Sequence, residues 1–168
     1  MNVKKIYFDM DGVLADFNRG VEDILGLKAI DQSNKTEAQD DEMFATMREH
    51  EHFYDELEIM PGAKEMFDAV YNKYQDKCEI LSGIPKPRRG IVNAGFDKEK
   101  WMHRLFAENV VVNIVFREEK KNYCTGPDCV LIDDLDINIE EWNALGGTGI
   151  LHKDSASTME KLHSLGIL

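Results

Sequence analysis

The chain has 168 residues, of which 43% are hydrophobic and 31% charged, and its formal net charge at pH 7 is −12. That length makes one domain able to bury a real core, and that balance is globular rather than disordered. The acidic excess argues against a protein that tracks nucleic-acid phosphates, and no apolar run approaches the ~18 residues of a membrane helix.

The first eight residues, Met1 to Phe8, meet an acid at Asp9. That is too early for the apolar stretch of a signal peptide, so the expectation is a cytoplasmic protein. Three cysteines, Cys78, Cys124 and Cys129, form no CxxC pair. An odd count does not suit a disulfide framework. Cys124 and Cys129 also lack a nearby histidine pair, which makes a zinc site a poor reading. Asn34-Lys35-Thr36 matches a glycosylation pattern and is read as a chance match.

In chain order, Val3–Phe8 reads as a buried strand. Arg19–Leu27 and Thr36–His50 have helical patterns, joined by the polar segment Asp31–Lys35. We read Phe17–Met60 as a small helical insert lying over the strand ends; a pair of ordinary packing helices is the plainer alternative. Pro61 suits a first helical position, and Ala63, Met66, Phe67, Val70 and Tyr74 follow as an apolar stripe. Cys78–Leu81 is a second strand and Asp97–Ala107 a helix with Trp101, Leu105 and Phe106 on one side. Val110–Phe116 and Val130–Ile132 are further strands. Asp136 is placed to cap a helix carrying Ile139, Trp142 and Leu145, which Gly146-Gly147 ends before a last strand, Thr148–Leu151. Strands alternating with helices predict an α/β fold: a Rossmann-like parallel sheet flanked by helices. The expected division is a core of residues 1–16 and 61–168 with a cap of residues 17–60. Ligands of such sheets bind at the carboxyl ends of the strands.

Four features carry chemistry. In Phe8-Asp9-Met10-Asp11-Gly12, two acids follow an apolar strand at positions i and i+2, which share a face while the backbone stays extended. Carboxylates that converge repel unless a cation joins them or one is protonated, and oxygen ligands favour a hard cation such as Mg²⁺. Alone, this could be an acidic turn. Val130-Leu131-Ile132-Asp133-Asp134 is a second apolar strand running into acids, which in one parallel sheet reaches the same rim. A capping acid beside a solvated one is the alternative. Ser82-Gly83 offers a hydroxyl at a strand end, or a plain turn serine. Lys120-Lys121 offers a cation for phosphate, or two solvated side chains.

Together, and in this order, these motifs resemble those of the haloacid dehalogenase superfamily of phosphohydrolases. Asp9–Phe17, Leu57–Ala63 and Leu131–Asp134 with Asn138-Ile139 are similar to the small 5'(3')-deoxyribonucleotidases and their bacterial relatives. The resemblance implies a haloacid-dehalogenase-like core with a small helical cap. It implies Mg²⁺ and a phosphomonoesterase passing through an aspartyl-phosphate. Asp9 would be the nucleophile and Asp11 the acid and base. Asp9, Asp11, Asp134 and Asp133 would surround the metal, Asp11 through its backbone carbonyl, with the direct motif-four ligand expected at Asp134. Ser82 and Lys121 would hold the phosphoryl group, with Lys120 the alternative. Phe17 would contact substrate, and Phe44, Phe53 and Tyr54 are further aromatic candidates.

The substrate implied is small and phosphorylated, a nucleoside monophosphate and most of all a deoxy one. A phosphosugar or another small metabolite is the alternative. Pro85-Lys86-Pro87-Arg88-Arg89 departs from the expected nucleotidase pattern and could meet a second anionic group or be a basic surface loop. A phospho-accepting switch domain uses similar residues in a different order, which counts against it. No nucleic-acid polymer or membrane is expected as partner, and the oligomer would be a monomer or homodimer.

Overall fold

Five short runs rich in Val, Ile and Leu become the strands of one sheet: β1 (Lys5–Phe8), β2 (Cys78–Gly83), β3 (Val111–Val115), β4 (Cys129–Asp133) and β5 (Thr148–Leu151). The structure, a computed structural model, describes residues 1–168. All four pairings are parallel and the strand order is β3-β2-β1-β4-β5. Side chains alternate across β1 and β4, yet both faces are apolar. Ile6, Phe8, Val130 and Ile132 face one side; Tyr7, Leu131 and Cys129 face the other. That is why the sequence shows continuous apolar runs rather than alternation.

The helices are α1 (Phe17–Asp23), α2 (Glu37–Met47), α3 (Ala63–Tyr74), α4 (Ala94–Leu105), α5 (Asp136–Ala144) and α6 (Ser155–Ser164). Met66, Phe67 and Val70 of α3, Trp101 and Met102 of α4 and Leu162 of α6 build the larger core on one face. Ile139 and Trp142 of α5 build the smaller core on the other. Right-handed crossovers require this split, because β2 and β3 extend the sheet one way from β1 while β4 and β5 extend it the other way. The direction reverses between β1 and β4, the place where α/β sheets bind ligands.

Several boundaries differ from the sequence expectation. Pro61 is not the first helical residue: Gly62 occupies the cap position with φ +73° and α3 starts at Ala63. Asp136 is the first residue of α5 rather than its cap, which is Leu135 without a side-chain bond. An acid in the first turn still favours the helix through its dipole. Helix α4 begins three residues before Asp97. The carboxyl-terminal helix α6, capped by Asp154, was not anticipated.

Residues 17–60 leave and return on adjacent segments. Asp16 N donates to Glu58 O and Met60 N to Leu14 O, both 2.8 Å, and Ala15 bridges to Ile59 antiparallel. Within this excursion lie α1, α2 and a tight turn at Phe53–Asp55. Thr36 and Gln39 form a reciprocal capping box at the start of α2. Phe17, Val21, Met43, Met47, Phe53 and Leu57 are buried, and they join the core beneath α3 and α4 rather than making one of their own.

Candidate active site

The carboxyl ends of β1, β2 and β4 meet beneath the excursion. Asp9 continues the β1 ladder, its N–H donating to Ile132 O at 2.9 Å, so the acid is fixed by backbone before its side chain makes any contact. Asp133 closes β4 and is 0% exposed. Asp9, Asp133 and Asp134 bring one carboxylate oxygen each within 4.8 Å of the others. Gly12 makes this approach possible. Its φ is +78°, and a Cβ there would lie 2.1 Å from Asp134 Oδ2. Only glycine accepts both constraints at little cost.

Lysine 120 supplies the compensating charge. It is 3% exposed, and its Nζ donates to Asp133 Oδ2 at 2.7 Å and contacts Asp9 Oδ1 at 2.8 Å. Burial works to lower its pKa, but Asp9 and Asp133 outweigh that and hold it raised. The rest of Asp133 is also saturated. Leu135 N donates to Oδ1 at 2.9 Å, and Asn138 Nδ2 reaches both oxygens at 3.0 Å. Arg117 Nη1 in turn donates to Asn138 Oδ1 at 3.1 Å. Asp133 therefore anchors the lysine, while Asp134 lines the cavity beside Asp9.

Burial raises the pKa of Asp9 to about 6; Lys120 opposes the rise, and Asp133 and Asp11 add to it. Asp134 is raised further, to about 8, by burial first and then by Asp9 and Asp133. Two carboxylates that resist ionisation side by side, with oxygen donors only, are the donor set a hard divalent cation relieves.

Asp11 is turned away from this cluster. Its Oδ2 accepts from Lys98 Nζ at 2.6 Å, and its Oδ1 is buried without a partner. The same ammonium donates to Ser82 Oγ at 3.0 Å and Gly83 O at 2.7 Å. Ser82 is 0% exposed. Lys98 was missed in the sequence. Its signal is a lysine inside the apolar stripe of α4, between Ala94 and Trp101, where a solvated side chain has no place.

The expected phosphate ligand Lys121 lies elsewhere: its side chain is 45% exposed, with Nζ 3.9 Å from Glu141. Residues Arg117–Tyr123 form a 3-10 turn, and neighbouring side chains there point about 120° apart, so only one lysine of the pair reaches the rim. That one is Lys120.

A cavity of about 650 Å³ opens above these groups. Phe17, Phe44 and Tyr54 line it, whereas Phe53 does not. Phe17 stacks on Tyr54 at 6.3 Å and meets Phe53 edge-on at 5.7 Å. Of the basic segment, Lys86 pairs with Glu118 and covers the Phe116 ring. Arg89 is buried against Asp40 and Asp41 and lies over Phe44. Arg88 lines the cavity and is exposed.

No protein-family model matches the chain, and no curated protein matches it in sequence. Solved structures match it in fold. A haloacid dehalogenase-superfamily hydrolase from Ehrlichia chaffeensis aligns at TM-score 0.57 and 14% identity, covering 98% of both chains. A haloacid dehalogenase-like hydrolase from Streptococcus pneumoniae aligns at 0.57 and 12%, covering 89% of this chain and 84% of that one. A family hydrolase from Deinococcus radiodurans, solved with phosphate and sodium, aligns at 0.51 and 18%, covering 96% and 88%. The fold is that of haloacid dehalogenase-superfamily hydrolases.

Proposed function

We propose that this chain is a Mg²⁺-dependent phosphomonoesterase that works through a phosphorylated Asp9. The observation that carries the reading is the position of Lys120, buried between Asp9 and Asp133, with the Asp134 carboxylate close to both acids on the cavity lining. Phosphoryl transfer needs positioning and charge compensation more than covalent assistance. A site with one ordered nucleophile, one shared ammonium and facing carboxylates supplies both.

Asp9 and Asp134, with the Asp11 backbone carbonyl, would hold Mg²⁺. When bound, the ion would offset the phosphate charge and keep Asp9 ionised at neutral pH. Lys120 holds Asp9 Oδ1, leaving its other oxygen to attack phosphorus. Ser82 and Lys120, rather than Lys121, would steady the phosphoryl oxygens. Asp11 would give a proton to the departing ester oxygen and later take one from water. Residues 17–60 would act as the cap, since their side chains supply one wall of the cavity.

For the substrate we propose a nucleoside monophosphate. The cavity lies within the ~300–1,000 Å³ usual for small-molecule sites. Phe17, Phe44 and Tyr54 give it an aromatic wall suited to a base. The rim polar groups Asn18, Gln32 and Ser33 favour a second reading, a sugar phosphate held by its hydroxyls. Phosphate release from deoxy- and ribonucleoside monophosphates and from sugar phosphates, with Mg²⁺ or EDTA, separates them. Asp9→Asn is expected to lose at least 1,000-fold in turnover while melting cooperatively. Near-normal release by that variant would overturn the nucleophile assignment.

A further inference from the structure

Lys98 is an ammonium with 0% exposure on the buried face of α4, and nothing in the assignments above uses it. Burying a charge is costly unless the protein satisfies it completely. Here three oxygens do so, from Asp11, Ser82 and Gly83, and the Tyr54 ring lies 4.6 Å from Nζ. Two of these partners are groups the proposed reaction needs. The contact to Asp11 leaves that carboxyl asymmetric: Oδ2 is engaged, and Oδ1 is buried with no partner at all. A buried, unpartnered carboxylate oxygen beside a reactive centre is costly, and such groups call for an explanation.

We infer that Lys98 is a positioning residue: it pins Asp11 by Oδ2, which leaves Oδ1 as the one oxygen without a partner and free to give and take the proton, and it sets the Ser82 hydroxyl at the same time. This rests on the phosphomonoesterase reading. In the first step Asp9 attacks phosphorus, the ester P–O bond breaks, and Asp11 Oδ1 gives its proton to the leaving oxygen. In the second, water attacks the phosphorylated Asp9 and loses a proton to Asp11 Oδ1. The Asp9–P bond then breaks, returning phosphate, the Asp9 carboxylate and a protonated Asp11. Lys98 touches no reacting atom in either step. Its hold restricts one rotation of Asp11, and a misplacement of about 1 Å in such a group can cost ~100-fold. Tyr54, whose ring lies beside Nζ, belongs to the 17–60 excursion.

The test uses Lys98→Met and Lys98→Arg in the full chain with Mg²⁺, on p-nitrophenyl phosphate and on an alkyl phosphate. A nitrophenolate leaves without a proton, so only the second step should suffer. Lys98→Met is expected to give a burst of nitrophenol and at least tenfold more acid-trapped phosphoprotein than wild type. On the alkyl phosphate it should lose at least 100-fold in kcat with little change in KM and show no burst. Lys98→Arg should recover part of both. Equal losses on the two esters with no trapped phosphoprotein would overturn the proposal. So would unchanged rates. A wild-type chain that releases phosphate from neither ester overturns the underlying reading, and the proposal falls with it. If Lys98→Met does not fold, the structure of Asp9→Asn with a bound phosphate ester decides. Oδ1 on the ester oxygen with Oδ2 still on Lys98 supports the proposal; an Asp11 rotated off Lys98 overturns it.

Discussion

Asp134 illustrates how a side chain can serve a site at the expense of the fold. In an unfolded chain a carboxyl ionises near pH 4. Here burial and the neighbouring Asp9 and Asp133 raise it to about 8. Between those values the folded state keeps a proton that the unfolded state has released. The group's contribution is therefore full below pH 4 and is lost as pH rises toward and through 8. In EDTA, Asp134→Asn is expected to melt together with wild type at pH 4. At pH 8.5 it should melt about 2–6 °C higher, a screened fraction of the full shift. Mg²⁺ should close that gap by raising wild type alone. A gap that ignores pH in a thermal melt would contradict the account. The sequence placed Asp9, Asp133 and Asp134 at one rim because apolar strands announce their own ends. It could not choose between Lys120 and Lys121, since one residue in a 3-10 turn swings a side chain by about 120°. Nor did it reveal Lys98, whose partners lie 15, 16 and 87 residues away in sequence.

At the scale of elements, polar ties rather than a separate core fasten α2 and the Phe53–Asp55 turn over the sheet. Arg89 reaches from the loop after β2 to Asp40 and Asp41, and Arg48 Nη1 donates back to Arg89 O at 3.0 Å. His52 Nδ1 meets Asp97 of α4 at 3.0 Å, and Arg104 and Lys100 hold Asp55. Breaking a largely buried pair leaves the other charge stranded. Arg89→Ala is expected to cost about 2–3 kcal/mol and to raise amide exchange across residues 37–47 first. Exchange that rises equally in β1 and β4 would count against a local tie. None of these pairs was readable in advance: the segment 85–89 read as a basic surface loop or a contact for a second anionic group, and of its two arginines Arg89 is spent within the protein while Arg88 stays exposed on the cavity lining. The five strands, by contrast, were legible to within a few residues, because sheets covered on both faces leave uninterrupted apolar runs.

For the whole molecule, the shared core has a mechanical meaning. Phe17, Val21, Met43, Met47, Phe53 and Leu57 pack into the same interior as α3 and α4. Replacing residues 17–60 by a short linker is therefore expected to remove cooperative unfolding rather than produce an open, active core. Circular dichroism melts check this, and a sharp transition in the shortened chain would contradict it. No helix is long and apolar enough to cross a membrane.

The strand order has a consequence in time as well as in space. The central strand, residues 5–8, is made first, yet its neighbours are residues 78–83 and 129–133. A chain emerging from the ribosome carries Asp9 with neither flank made until residue 83, and with only one of the two until residue 133. Its acidic rim can close only after residue 133 has cleared the exit. Pairings that distant form slowly. Recovery of metal binding should thus trail recovery of helix during refolding, and until then the half-built sheet has β1 as a bare edge open to the wrong partner.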